Sequence, residues 1–301
     1  MKAIVVHEYG GPEVLKFEEY PDPVPGRGDV LVRIAAASVN PIDFKRRAGL
    51  TKDFYPMQFP SLIGVDMSGT VVKVGPGVED FSDGNRVFAM ADNTYAELCV
   101  VKADVLADIP EGLDLVEAAA LPLVTTTGNQ LATATGVKAG QTIVVVGAVG
   151  NVGRSAVFTA KHLGATVIAG VLKRQMDEAK TVGADQLVAT DDDNAIANLP
   201  SLDAVADTVG GKLAEKLIAK VKAGGVFASV VGAPQNAAKY PAVKAVPVFS
   251  HFDRDTLQFM AEAVRDGKLT IPIGPRMPLS EAAKAQAMAE KGGIGKILLV
   301  P

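Results

Sequence analysis

From Thr142 to Gly153 the chain reads T-I-V-V-V-G-A-V-G-N-V-G, a β-branched run that empties into spaced glycines ahead of a helical pattern. Such a run suits a strand buried on both faces, as in a parallel sheet. Gly147, Gly150 and Gly153 permit a tight turn, close approach of a pyrophosphate and close packing of the following helix. The free N–H groups that open that helix would face phosphate. The strict six-residue window is Ala148, Gly150, Gly153, with alanine where a first glycine is usual, so the loop alone is a weak sign. Its setting has to carry the reading.

Around this loop, from about Pro122 to Pro247, strand and helix patterns alternate. Strands are expected at Thr142–Val146, Thr166–Leu172, Gln186–Ala189, Leu202–Asp207, Gly225–Val231 and Ala245–Phe249. Val152, Ala156, Ala160 and Leu163 recur at helical spacing and Gly164 closes that helix; Gln175–Val182 and Lys212–Lys222 are also expected to be helical. Alternation of this kind makes a parallel sheet covered on both faces, and right-handed crossovers make it doubly wound. The acidic run Asp191–Asp193 reads as a solvated loop.

Before that segment, Ala3–Val6, Asp29–Ala35, Gly69–Val74, Arg86–Met90 and Ala96–Val101 are short strand-like runs between Gly, Pro and Asp, which predicts a mostly-β domain. After it come helical patterns at Asp255–Arg265 and Glu281–Glu290 and a final strand Ile297–Val300. So short a tail cannot form its own core and is expected to pack on the N-terminal domain. One domain is then inserted in the other, with a ligand cleft between them. The expected boundaries are 1–121, 122–247 and 248–301, an α/β fold whose length fits about two domains.

A formal charge of −4 offers no basic field for nucleic acid or anionic lipid, which leaves small molecules as the expected partners. Cys99 is the only cysteine, so no intramolecular disulfide or multi-cysteine metal site can form, which fits a reducing cytoplasm. It reads as a buried strand residue. His7 and Glu8 interrupt the opening segment, and no apolar run approaches the roughly 18 residues of a membrane span, so export and membrane insertion are not expected.

A dinucleotide fold that prefers NADH places an acid about 20 residues beyond the fingerprint, to bind the ribose hydroxyls. Here that place reads Ile168-Ala169-Gly170-Val171, followed by Lys173 and Arg174. Such a cationic pair can bind a 2′-phosphate, Arg with its fork and Lys as a point charge, so NADPH is the expected cofactor. The other reading makes both surface cations at a helix start, where the dipole disfavours them.

The ordered motifs Ala37-Ser38-Val39-Asn40-Pro41-Ile42-Asp43, Gly64-Val65-Asp66, Gly84-Asn85-Arg86-Val87, Ala118-Ala119-Ala120-Leu121-Pro122, the glycine loop and Gly295-Lys296-Ile297 span the chain. Together they resemble the medium-chain dehydrogenase/reductase superfamily, in its zinc-free quinone oxidoreductase, or zeta-crystallin-like, branch. The resemblance implies a GroES-like mostly-β catalytic domain around an inserted Rossmann domain. Zinc-dependent relatives carry catalytic ligands at places held here by Asn40, Val65 and Leu123, and a proton-relay hydroxyl where Ile42 stands. With one cysteine and scattered His7, His162 and His251, neither a catalytic nor a structural zinc site is expected.

The chemistry then implied is hydride transfer from NADPH to a quinone or an α,β-unsaturated carbonyl, whose conjugation carries the developing charge to an oxygen. By resemblance Asn40 lies beside nicotinamide and substrate and donates to the developing enolate, and Thr127 contacts the nicotinamide. Backbone at Val152 and Gly153 meets the pyrophosphate, Gly232 lies near the ribose and Phe249 near the ring. Each of Asn40 and Thr127 also has a plainer reading, as a turn residue before Pro41 and as a helix residue. Tyr55, in the loop Phe54–Phe59, is the candidate proton donor or else an aromatic wall. Asp43 and Asp66 are expected to orient neighbours.

Tyr240-Pro-Ala-Val-Lys244 matches a Tyr-x-x-x-Lys spacing that needs a helix, but Pro241 and its Gly/Pro/Asn-rich surroundings speak for a loop. Kinship further implies a homodimer through the edge strand Ala245–Phe249. A non-catalytic NADPH-binding protein is the alternative, since no acid for the proton step is obvious; a zinc alcohol dehydrogenase is the third reading.

Overall fold

Apolar runs broken by glycine, proline and aspartate set the elements of the computed structural model, which describes residues 1–301. The chain opens with β1 (Lys2–Val6), β2 (Leu15–Glu19), β3 (Asp29–Ser38) and α1 (Pro41–Arg47). Then come β4 (Ser61–Leu62), β5 (Asp66–Val74), β6 (Arg86–Met90), β7 (Leu98–Lys102) and β8 (Ala107–Asp108). Helix α2 (Pro122–Ala134) leads into β9 (Thr142–Val146), α3 (Asn151–His162), β10 (Thr166–Val171), α4 (Met176–Ala179) and β11 (Gln186–Ala189). There follow α5 (Asp193–Ala197), β12 (Leu202–Asp207), α6 (Gly211–Ile218), β13 (Val221–Ser229) and β14 (Lys244–Pro247). The last elements are α7 (Arg254–Arg265), β15 (Ile273–Pro278), α8 (Ala282–Ala289) and β16 (Lys296–Val300).

Two units result. The first comprises Met1–Leu123, Phe252–Arg265 and Ile271–Pro301; the second comprises Val124–His251 and Asp266–Thr270. In the first, a seven-stranded sheet runs β15-β16-β3-β5-β6-β8 with β7 also on β3, and a three-stranded sheet runs β2-β1-β4. One core lies among Val30, Val32, Met67, Val71, Val87 and Leu106; another joins Ile4, Val6 and Ile63 to Ala282 and Ala285 of α8 and to Leu299 of β16. The C-terminal residues are therefore integral to this unit.

In the second unit the six strands lie in the order β11-β10-β9-β12-β13-β14, all parallel. This is the doubly wound order, in which the direction of winding reverses between β9 and β12 and ligands bind at the carboxyl ends of the strands. Strand β9 explains the double burial. Ile143 and Val145 pack on one face with Leu131 of α2 and Ala156 and Ala160 of α3, while Val144 and Val146 pack on the other with Leu217 and Ile218 of α6. Each fully buried aliphatic side chain contributes about 1.5–3 kcal/mol.

Three local expectations are corrected. The helix expected over Lys212–Lys222 ends at Ile218, because Val221 pairs with Leu202 and begins β13. That strand therefore spans Val221–Ser229 rather than Gly225–Val231. The helix expected over Gln175–Val182 is a 3-10 turn, Lys173–Gln175, followed by the short α4. Third, the acidic run is not merely solvated: Asp192 caps α5, its carboxylate accepting from the N–H groups of Asn194 and Ala195.

Candidate active site

The loop after β9 turns through Gly147, whose φ of +71° is the left-handed region that favours glycine. The Gly150 N–H donates to the Gly147 carbonyl at 2.9 Å, and Gly150 is the N-cap of α3. A Cβ on Gly153 would lie 2.1 Å from the Gly147 oxygen and 2.8 Å from the Ala148 Cα, so only glycine lets the helix approach the loop so closely. Ala148 is fully buried beneath it. The first N–H paired within the helix is that of Arg154, to Gly150 at 2.8 Å, which leaves the N–H groups of Asn151, Val152 and Gly153 for a ligand. These residues fit a dinucleotide pyrophosphate.

At the end of β10, Lys173 and Arg174 lie exposed in the turn that precedes α4. They are not equivalent. The Lys173 ammonium pairs with Asp192 at 3.0 Å, which holds its pKa above the ordinary value, and its backbone N–H donates to Asp191 at 2.8 Å. No ion pair holds Arg174. The acidic run thus faces Lys173, one of the two cations expected to bind phosphate.

Gly232, with φ of +102°, follows β13, and Phe249, 81% exposed, follows β14, so both lie at the carboxyl ends of these parallel strands with the glycine loop. Thr127 is buried in α2, where the adjacent Gly128 lets α3 approach: a Cβ there would meet the Val152 carbonyl at 2.4 Å. Tyr240 ends a 3-10 turn and Lys244 begins β14, so the Tyr-x-x-x-Lys spacing never shares a helix.

In the first unit, Asn40 ends the stretch after β3 and begins α1, with Pro41 at the first helical position. The Asp43 carboxylate reaches back to the Asn40 N–H at 2.8 Å, the returning half of a capping box. The Asn40 side chain makes no cap; it turns inward and is fully buried. Its Nδ2 donates to Asp66 at 2.8 Å and to the Ser38 carbonyl at 3.2 Å, while its Oδ1 accepts from the Lys296 ammonium. Both amide hydrogens and the amide oxygen of Asn40 are thus engaged within the protein.

Asp66 is the hub of this cluster. It accepts from Ser38 Oγ, from Asn40 and from the Leu123 N–H, each at 2.8 Å, and lies 3.7 Å from Lys296. Burial pushes the Asp66 carboxyl up and the Lys296 ammonium down, each opposed by the other's charge. Burial also pushes Asp43 up to about 7, against the hydrogen bonds from Asn40 and from the Tyr95 hydroxyl at 2.9 Å. One Asp43 oxygen has no partner. Lys296 was visible in sequence as a lone cation opening an apolar strand, though nothing there gave it a role.

Tyr55 is half exposed and its ring carries the Arg46 guanidinium 4.7 Å from the centroid. Arg46 in turn donates to Asp92 at 2.6 Å. Cys99 is buried in β7, where burial pushes its thiol up to about 12, so it is no nucleophile at neutral pH. No group of three or more His, Cys, Asp or Glu side chains is arranged to hold a metal ion.

Comparison with known proteins agrees with this architecture. Residues 26–111 match the alcohol dehydrogenase GroES-like domain and residues 182–299 the zinc-binding dehydrogenase family. The chain is 30% identical over 318 residues to an NADPH-dependent alkenal/one oxidoreductase of Arabidopsis thaliana, covering 100% of this chain and 80% of that protein. A solved quinone oxidoreductase from Coxiella burnetii superposes with a TM-score of 0.89 at 30% identity, over 100% of this chain and 99% of the other. A mycobacterial structure complexed with NADPH superposes with a TM-score of 0.86 at 29% identity, over 100% of both chains.

Proposed function

The chain belongs to the medium-chain dehydrogenase/reductase superfamily, in its quinone oxidoreductase branch, and from that premise we propose that it is an NADPH-dependent reductase of quinones or α,β-unsaturated carbonyls. The observation that carries the reading is the glycine loop, whose packing only glycine allows, with unpaired N–H groups at the start of α3 and Arg174 uncommitted beyond β10. The N–H groups of Asn151 to Gly153 hold the pyrophosphate and Arg174 the 2′-phosphate, with Lys173 as a second cation shared with Asp192. Gly232, Phe249 and Thr127 are assigned to the nicotinamide end.

Bound NADPH supplies a hydride to the β-carbon of the acceptor or to the quinone. The protein supplies the rest. To Tyr55, a half-exposed phenol, we assign the proton given to the reduced acceptor, directly or through water. Asn40, Asp66 and Lys296 form the buried support on which α1 begins. The reaction needs no zinc: Asn40, Val65 and Leu123 stand where ligands would be required, and none of these side chains suits zinc. The protein is assigned to the cytoplasm; no helix is long and apolar enough to cross a membrane. A homodimer forms through β14, the edge strand of the second unit.

The test is consumption of NADPH across a panel of quinones and enones, repeated with NADH for the best acceptor, on protein whose zinc content is measured. Turnover that favours NADPH, without stoichiometric zinc, is expected. Binding of NADPH with no turnover across the panel would make the protein a non-catalytic nucleotide binder, and stoichiometric zinc would contradict the ligand argument.

A further inference from the structure

Arg154 stands in the first turn of α3 and is 6% exposed. A cation there is disfavoured by the helix dipole, and burying it costs free energy unless its donors are used. Two of its donors are committed. Nε donates to the Val149 carbonyl at 2.9 Å, within the glycine loop, and an Nη donates to Glu178 of α4 at 2.8 Å. The other end of the same peptide is held as well, since the Gly150 N–H donates to the Gly147 carbonyl at 2.9 Å.

We infer that Arg154 is a positioning residue for dinucleotide binding, clamping the Val149–Gly150 peptide and tying it to α4. The inference rests on the reading of this loop as the dinucleotide site. Held by the guanidinium, the Val149 carbonyl cannot rotate toward the start of α3, where its oxygen would oppose a phosphate. The same guanidinium links the loop to the helix that follows Lys173 and Arg174, so the segments assigned to pyrophosphate and 2′-phosphate share one brace. Lysine replaces it only in part, because a single ammonium on a flexible stem lacks the planar fork that serves both acceptors.

Arg154→Met and Arg154→Lys test this through dissociation constants for NADPH and NADH, kcat at saturating NADPH, and Tm. Arg154→Met is expected to weaken both dinucleotides by the same factor, about tenfold, and Arg154→Lys by about threefold, with saturated kcat within about twofold of the parent. Folded variants that bind both dinucleotides like the parent would overturn the inference, as would a loss confined to NADPH or a fall in kcat with binding intact. If Arg154→Met does not fold, Arg154→Lys decides. Failure of the parent itself to bind NADPH would instead sink the proposed function.

Discussion

Asp43 is a carboxyl group whose charge the fold opposes, since burial lifts it to about 7 and leaves one oxygen unpartnered. Its folded pKa lies above the unfolded one, so it contributes stability that is full below the ordinary carboxylate range and is lost as pH rises through about 7. Asp43→Asn keeps an acceptor for Asn40 and Tyr95 but cannot ionise. The Tm of the variant relative to the parent should therefore rise between about pH 5 and about pH 8, and a difference that stays constant over that range would contradict the assignment. At this scale the sequence was partly legible. The turn reading of Asn40 before Pro41 falls at the start of α1, but the inward course of its side chain depends on Asp66 and Lys296, which are distant in the chain.

The elements of the proposed dinucleotide site were legible because their signals are local. A β-branched run followed by three spaced glycines specifies β9, the turn and α3 with little help from elsewhere. The start of β13 was not legible: Lys212–Lys222 keeps a helical pattern through Val221, and pairing with Leu202 overrides it. Nor was the acidic run, whose role depends on where α5 begins. Asp192 both caps that helix and pairs with Lys173. Asp192→Asn should keep the cap and release the lysine, raising the preference for NADPH over NADH by about threefold, as expected for an exposed pair. Dissociation constants for both nucleotides check this; an unchanged ratio would remove Lys173 from the phosphate site.

The whole molecule is organised by the return of the C-terminal segment to the first unit, where β16 pairs with β3 and brings Lys296 to Asn40. That return was expected from the shortness of the tail, whereas its contribution of a buried cation was not. The chemistry proposed for the whole chain is reduction of conjugated acceptors by hydride without a metal to polarise them. The most direct measurement is reduction of an α,β-unsaturated ketone by NADPH carrying deuterium at both C4 positions, with the product read by NMR. Deuterium is expected at the β-carbon and a solvent-derived proton at the α-carbon, in protein free of zinc. A product without the label, or activity that appears only when zinc is added, would contradict it.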